Sequence, residues 1–477
     1  MARLTPALAL AMPSSAMSTS EQREGDGFLP SNTLVAASWV PTRPRRGPWY
    51  RATVLLDPFA LGSLRLANRM VMAAMGTGFA TPDGRPTPRL VAWYTARASG
   101  RLGLLLVEGT QVRDDEACRG AAVWRTRLAS DGAIPEFARL AEAIRGAGTP
   151  PALQLSYPAA PDPGALGGAE AAAIVRAFGA AARRARAAGF AAVEVQCTSK
   201  VLLGQRPDLA CEAVSRASAA FGAPVIAKIS AGPGGETAAR ARALVGAGAA
   251  ALEVHGGPEV LPPVRAAVGV PLIANAGLLK PAAAERVLAG GAAELVALGR
   301  ALLADAAWLQ KVRDGRGERI VPCVECGACF PFPRDTGTGC PVGGEAGLEY
   351  LGPVAPAERP RRVGVLGGGL AALETARVAA ARGHRVALRL AGQPWGGCWA
   401  GRAGYRPALD WFRTALEELG VRIVTAFVAP PDVVVDCRPD GGGAPGADAA
   451  ALRLGDTEDP AALRDLVRRA HLLARQL

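Results

Sequence analysis

The sequence predicts an α/β fold: a (β/α)8 TIM barrel, then a four-cysteine cluster segment, then a truncated Rossmann-like nucleotide-binding domain. Three observations predict it. From residue 69 onward, short apolar runs alternate with Ala-rich amphipathic stretches. Four cysteines crowd into residues 323–340. A Gly-rich turn, VGVLGGGLAALE, follows one apolar run and opens a helical one.

Residues 1–52 mix Pro, Ser, Thr and Arg without periodicity and read as an irregular extension. The apolar run at 8–12 is too short, and its flanks too plain, for a signal peptide. Met12 and Met17 are alternative start positions. Barrel strands are expected at 69–75, 103–108, 151–156, 191–197, 224–230, 250–255, 271–276 and 294–299, with helices at 170–188, 236–246 and 281–288 among those between them. Eight such units over about 240 residues suit a closed barrel spanning 53–315, with an open doubly wound sheet as the alternative. Chemistry then belongs on the loops after the strands, at 75–78, 154–157, 196–201, 228–230, 255–257, 275–277 and 299–300. The runs IANAGL (273–278) and ALGR (297–300) follow strands seven and eight. Small residues there admit a phosphate to backbone N–H groups, and Arg300 adds charge.

Cys323, Cys326 and Cys329 stand in PCVECGAC, and Cys340 follows after ten intervening residues. C-x2-C-x2-C turns gather three thiolates on one side of a loop and a fourth completes the set. The spacing suits a [4Fe-4S] cluster, and a zinc site built from four cysteines uses the same donors. This segment spans 316–352. After a Pro-rich linker, residues 361–477 carry the Gly-rich turn: Gly367 for the tight bend, Gly369 for approach of a pyrophosphate, Ala372 at the third position. The acidic residue expected at the end of the second strand is replaced by Arg389 and Leu390. Asp456, ahead of a helix at 460–477, is placed to meet a flavin nucleotide or to cap that helix.

Composition narrows the class. Of 477 residues, 50% are hydrophobic and 20% charged, which excludes wholesale disorder, and no apolar run is long enough to span a membrane. Although the net charge is +12, only four of the 54 basic residues are lysine, and the arginines are scattered rather than striped. That pattern argues against nucleic-acid binding. Nine cysteines without the spacing of a disulfide framework point to a reducing, cytoplasmic setting.

Barrel, cysteine cluster and Gly-rich domain in this order resemble the FMN, iron–sulfur and FAD reductases related to old yellow enzyme, the 2,4-dienoyl-CoA reductase and trimethylamine dehydrogenase type. The likeness covers about residues 54–477 and is carried by DPFALGSLRLANRMVMAAM, GLLLVEGT, AAVEV, KIS, ALGRALLAD, the four cysteines and VGVLGGGLAALE. It implies that Ala74, Met75 and Gly76 line the FMN isoalloxazine, that Gln154 bonds its pyrimidine edge, and that Lys228 sits near N1/O2. It further implies that Gly277, Gly299 and Arg300 hold the FMN phosphate, and that the four cysteines ligate a [4Fe-4S] cluster. Gly367, Gly369 and Asp456 would hold FAD, or ADP in its place.

The departures are as specific as the matches. Ser199, Lys200 and Val201 replace the His-Gly-Tyr stretch whose tyrosine donates a proton in these reductases. The long substrate loop that follows is deleted, and the inserted NAD(P)H domain is absent. Candidate proton donors are therefore Tyr157, His255 and Lys200. The expected activity is hydride transfer between flavin and a small organic substrate, either enoyl or enone reduction or amine or alcohol oxidation. An external electron-transfer partner and a homo-oligomer are compatible with it. The alternative is a degenerate paralogue acting as a non-catalytic electron-transfer or scaffolding subunit.

Overall fold

The computed structural model describes residues 54–121, 125–232, 235–275, 277–330, 336–439 and 450–477, so the extension expected at 1–52 lies outside the described residues. The barrel strands are β1 (Met70–Met72), β2 (Leu104–Gln111), β3 (Pro151–Ser156), β4 (Ala192–Cys197), β5 (Val225–Ser230), β6 (Ala251–His255), β7 (Leu272–Asn275) and β8 (Leu295–Leu298). All pair in parallel and in chain order, and β8 closes on β1 with Val296 opposite Met70. β1 is shorter than its apolar run, whereas β2 runs on to Gln111 past an irregularity between Val107 and Thr110.

Strand alternation sorts the side chains. Ala152, Ala192, Ile226, Ala251 and Ile273 point inward with Leu104 and Leu106 and make a dry interior. Leu153, Val193, Ala227 and Leu252 point outward and pack under the helical shell. A hairpin, Phe59–Leu61 against Leu64–Leu66, sends Leu61 and Leu66 into the same interior cluster and stoppers that end of the barrel. The helices stand where periodicity placed them, including Gly168–Ala187, Glu236–Gly246 and Pro281–Ala289. After β4 a single turn, Leu202–Gln205, leads almost directly into the helix Pro207–Phe221. A Cβ on Gly204 would lie 1.8 Å from the Thr198 carbonyl oxygen, so only glycine permits this abrupt return.

The C-terminal domain is small but has a complete five-stranded parallel sheet. Its strands are β9 (Arg362–Leu366), β10 (Arg385–Arg389), β11 (Arg422–Val424), β12 (Val433–Asp436) and β13 (Ala450–Arg453), in spatial order β11-β10-β9-β12-β13. That is the strand order of the doubly wound nucleotide-binding sheet. The helix Leu370–Ala381 after β9 packs against the terminal helix Pro460–Ala474. Among the described residues, barrel and sheet belong to one compact unit. Among the described residues no helix is long and apolar enough to cross a membrane.

The cysteine segment lies between the two and is held from both sides. On the barrel side, Arg97 is 0% exposed, stacks on Trp93 and pairs with Glu349 at 2.9 Å. On the other, Arg464 donates to the Ala328 carbonyl, and Arg468 to those of Thr336 and Thr338, all from the terminal helix. Arg97→Met keeps the bulk but removes the cation from Glu349 and the donor from the Leu302 and Leu303 carbonyls. We expect it to lower unfolding free energy by about 3 kcal/mol in urea titration.

Candidate active site

The inward positions of the barrel change character one layer above the dry interior. Gln154 on β3, Glu194 on β4, Lys228 on β5 and Glu253 on β6 share the inward parity of Ala152, Ala192, Ile226 and Ala251, two residues further along each strand. One layer higher stand Gln196, Ser230, His255 and Asn275. They face a cavity of 340 Å3 at the strands' C-terminal ends.

The cavity is also lined by Ala74 and Met75 after β1, Thr198 and Lys200 after β4, Gly277 after β7, and Gly299 and Arg300 after β8. The loop after β1 is pinned from below. Buried Glu108 accepts from the Thr77 backbone N–H at 2.6 Å and from its hydroxyl at 2.7 Å. Gly299 is matched to that loop, since a Cβ there would meet the Met75 sulfur at 2.7 Å. Arg300 also reaches outward to Glu325, between two of the cysteines, at 2.9 Å. The barrel mouth thereby touches the cysteine segment.

Electrostatics centre on Lys228. Its Nζ lies 2.7 Å from Glu253 Oε1, and Asn275 Nδ2 donates to the same oxygen at 2.5 Å. Burial works against the ammonium, but Glu253 and then Glu194 outweigh it and hold the Lys228 pKa above its ordinary value. Burial likewise opposes the Glu253 carboxylate, and Lys228 outweighs it, so its pKa is lowered. Burial and the neighbouring Glu253 charge push Glu194 well up. Gln154 Nε2 donates to Glu194 Oε1 at 2.5 Å, directly beneath the cavity. Burial, then Lys228, lowers the His255 pKa, which keeps the imidazole neutral at neutral pH.

Among the residues expected from sequence, Ala74, Met75, Lys228, Gly277, Gly299 and Arg300 line this one cavity, as do His255 and Lys200. Gly76 follows Met75 on the same loop, and Gln154 lies one layer down. Tyr157 is not among the lining residues. Its ring packs in the shell between strands and helices, and its hydroxyl donates to Asp115 at 3.1 Å. Burial and that carboxylate push its pKa up. The reason lies in β3, where Gln154 and Ser156 point inward and Tyr157 consequently points outward. Sequence reasoning passed over Glu194 and Glu253, whereas Gln196 and Asn275 fall within the loops expected to carry chemistry. The signal was a polar residue at an inward position in AAVEV and ALEVH.

The four cysteines lie close enough for their charges to act on one another. Burial pushes the Cys340 thiol up to about 12. Among the described residues no three His, Cys, Asp or Glu side chains converge tightly enough to hold a single metal ion. The Tyr405 hydroxyl is buried, has no hydrogen-bond partner and faces Cys326. In the sheet domain, Gly367 takes the left-handed conformation (φ +121°) that the turn requires. The amide of Gly368, however, is already taken: it donates to Gln393 Oε1 at 2.8 Å. Asp456 accepts from the Thr457 backbone N–H and faces the Cys398 thiol. It lines a separate cavity of 320 Å3, which Gly367 and Gly369 do not line. His384 and His471 are structural: Nδ1 of the first accepts from the Arg361 N–H, and Nδ1 of the second bonds Glu374.

The sequence profile of the NADH:flavin oxidoreductase / NADH oxidase family matches residues 54–163. A metal reductase from Desulforamulus reducens is 30% identical over 466 residues, covering 82% of this chain and 69% of that protein. An NADH oxidase from Thermoanaerobacter brockii is 29% identical over 463 residues, covering 80% and 70%. The solved structure of 6-hydroxypseudooxynicotine amine oxidase from Pseudomonas geniculata N1 shares the fold. It superposes with a TM-score of 0.72 at 20% identity, over 85% of this chain and 74% of that one.

Lys228→Met leaves Glu253 buried without its cation. Burial then lifts its folded pKa above the unfolded value of about 4.3, so the folded state binds the extra proton and stability falls as pH rises. Urea titration is expected to show a loss of about 3 kcal/mol at about pH 8 and a much smaller one at about pH 5. Equal losses at both pH values would contradict the ion pair.

Proposed function

Because the chain belongs to the NADH:flavin oxidoreductase / NADH oxidase family, and is thus a flavin-dependent oxidoreductase, we propose that FMN lies across the barrel mouth and exchanges electrons with a [4Fe-4S] cluster on Cys323, Cys326, Cys329 and Cys340. The observation that carries this reading is the convergence of Lys228, Gly277, Gly299 and Arg300 on one cavity. Two orphaned atoms support the fit. Gln196 Oε1 is buried at the cavity without a partner, an acceptor suited to a ligand's N–H. The Tyr405 hydroxyl lacks an acceptor, and a cluster-bound Cys326 sulfur would supply one.

When bound, the flavin supplies hydride transfer and the cluster single-electron transfer. The chain supplies the rest. Arg300 offers guanidinium N–H groups to a phosphate, and the loop 277–279 offers its backbone. Ala74 and Met75 give an apolar wall, with Gln154 and Lys228 at the polar end. Lys228, held as a cation by Glu253, places positive charge where negative charge develops. His255 and Lys200 flank the open side, where a small organic substrate would lie. Neutral His255 accepts a proton more readily than it gives one near neutral pH, whereas Lys200 is exposed to solvent. Amine or alcohol oxidation, which asks less of an acid, therefore stands level with enone reduction.

FAD fits poorly. Gln393 occupies the amide that a pyrophosphate would use, and Leu390 offers no carboxylate to a ribose. The sheet domain enters this reading as the brace of the cysteine segment, and no electron step runs through it. An external electron carrier would meet the chain at the cluster.

Anaerobic mixing tests the assignment. NADH or NADPH is expected to bleach the flavin absorbance directly, and an enone or a secondary amine then decides the direction of use. A flavin-loaded protein inert to both nicotinamides and to both substrate classes would sink the catalytic reading. Cys323→Ser and Cys340→Ser should each abolish bound iron while leaving releasable FMN in place.

A further inference from the structure

The layer beneath the cavity contains two carboxyl groups that the proposed function leaves unused. Glu194 and Glu253 are both 0% exposed and lie against each other. One oxygen of each is engaged. Gln154 donates to Glu194 Oε1, while Lys228 and Asn275 both reach Glu253 Oε1. The other two oxygens, Glu194 Oε2 and Glu253 Oε2, have no hydrogen-bond partner. Two ionised carboxylates in contact inside a closed barrel repel strongly, and buried oxygens without donors are rare. A proton between them removes both problems at once.

We propose that Glu194 and Glu253 share a single proton, and that the pair is a proton store exchanging with the cavity through Lys228. The store rests on the flavin reading of the site, whereas the shared proton does not. The groups facing the pair are Lys228 on β5, His255 at the cavity end of β6, Asn275 on β7 and Gln154 on β3. Burial and the Glu253 charge place the resting proton on Glu194, and the Lys228 ammonium keeps Glu253 ionised.

Only N–H and O–H bonds change in the transfer. Lys228 Nζ gives a proton to a base in the cavity, the Glu194 proton crosses to Glu253, and Glu253 passes it to Nζ. Both carboxylates are then ionised against one ammonium until solvent returns a proton by way of the cavity. The arrangement supplies an acid to a site in which Val201 stands where a tyrosine would serve. Glu194 and Glu253 thus act through Lys228, as groups that position and recharge it.

Infrared spectroscopy at neutral pH reads the shared proton directly. Wild-type protein should show a buried carboxylic acid carbonyl band that shifts in D2O and that Glu194→Gln removes. In Lys228→Met the band should roughly double, because Glu253 also becomes protonated. Should Glu194→Gln fail to fold, Glu253→Gln serves instead: Glu194 then faces Lys228 alone, ionises, and the band is lost. No such band in the wild type overturns the shared proton. For the store, Glu194→Gln should retain FMN yet slow reoxidation of the reduced protein by an enone by roughly tenfold or more. An unchanged rate overturns the store while leaving the shared proton standing. A wild-type protein without flavin overturns the store together with the flavin reading, and the infrared band still decides the proton.

Discussion

A cation inside a closed barrel must be neutralised within the barrel, and the Lys228–Glu253 pair meets that constraint. No water-facing edge is available to a side chain pointing inward from the middle of β5, so the counter-charge has to come from a neighbouring strand at matching height. β6 supplies it, because Lys228 and Glu253 are directly paired in register. A second carboxyl on β4 then requires a proton, and Gln154 and Asn275 complete the layer. The result is a charged floor between the dry interior below and a roomy cavity above. Lys228 can turn its charge upward only because its burial is already compensated from the side.

The same economy governs the rest of the chain. Arg300 and Glu325 join the rim of the cavity to the cysteine loop, so the two redox candidates share one salt bridge. Buried arginines of the terminal helix hold the carbonyls on the far side of that loop. Each is an Arg donating to backbone oxygens, which fixes an irregular segment without asking it to form secondary structure. The sheet domain has kept its topology while its Gly-rich turn is closed by Gln393.

Much of this was legible in the sequence. All eight barrel strands follow from short apolar runs that alternate with helical stretches, because parallel strands buried on both faces read as near-continuous apolar runs. The cavity-lining residues after β1, β7 and β8 were legible too, because small residues at strand ends leave few alternatives. Tyr157 was misplaced as a donor because its place in the chain was weighed and its parity was not: one residue beyond an inward Ser156, it points outward. Glu194 and Glu253 hid in apolar runs for the opposite reason, being judged by strand propensity when their inward parity was the message. Gln393 was unreadable. It lies far from the turn it closes, and only the fold brings them together.

The central claim is that the compensated Lys228 and the rim at Gly277, Gly299 and Arg300 form a single flavin seat. Its most direct test is to purify the wild-type chain anaerobically, release its cofactors by denaturation and separate FMN from FAD by chromatography. The account predicts about one FMN for each folded chain and no stoichiometric FAD. A well-folded protein that releases no FMN, or one that releases FAD alone, would contradict it.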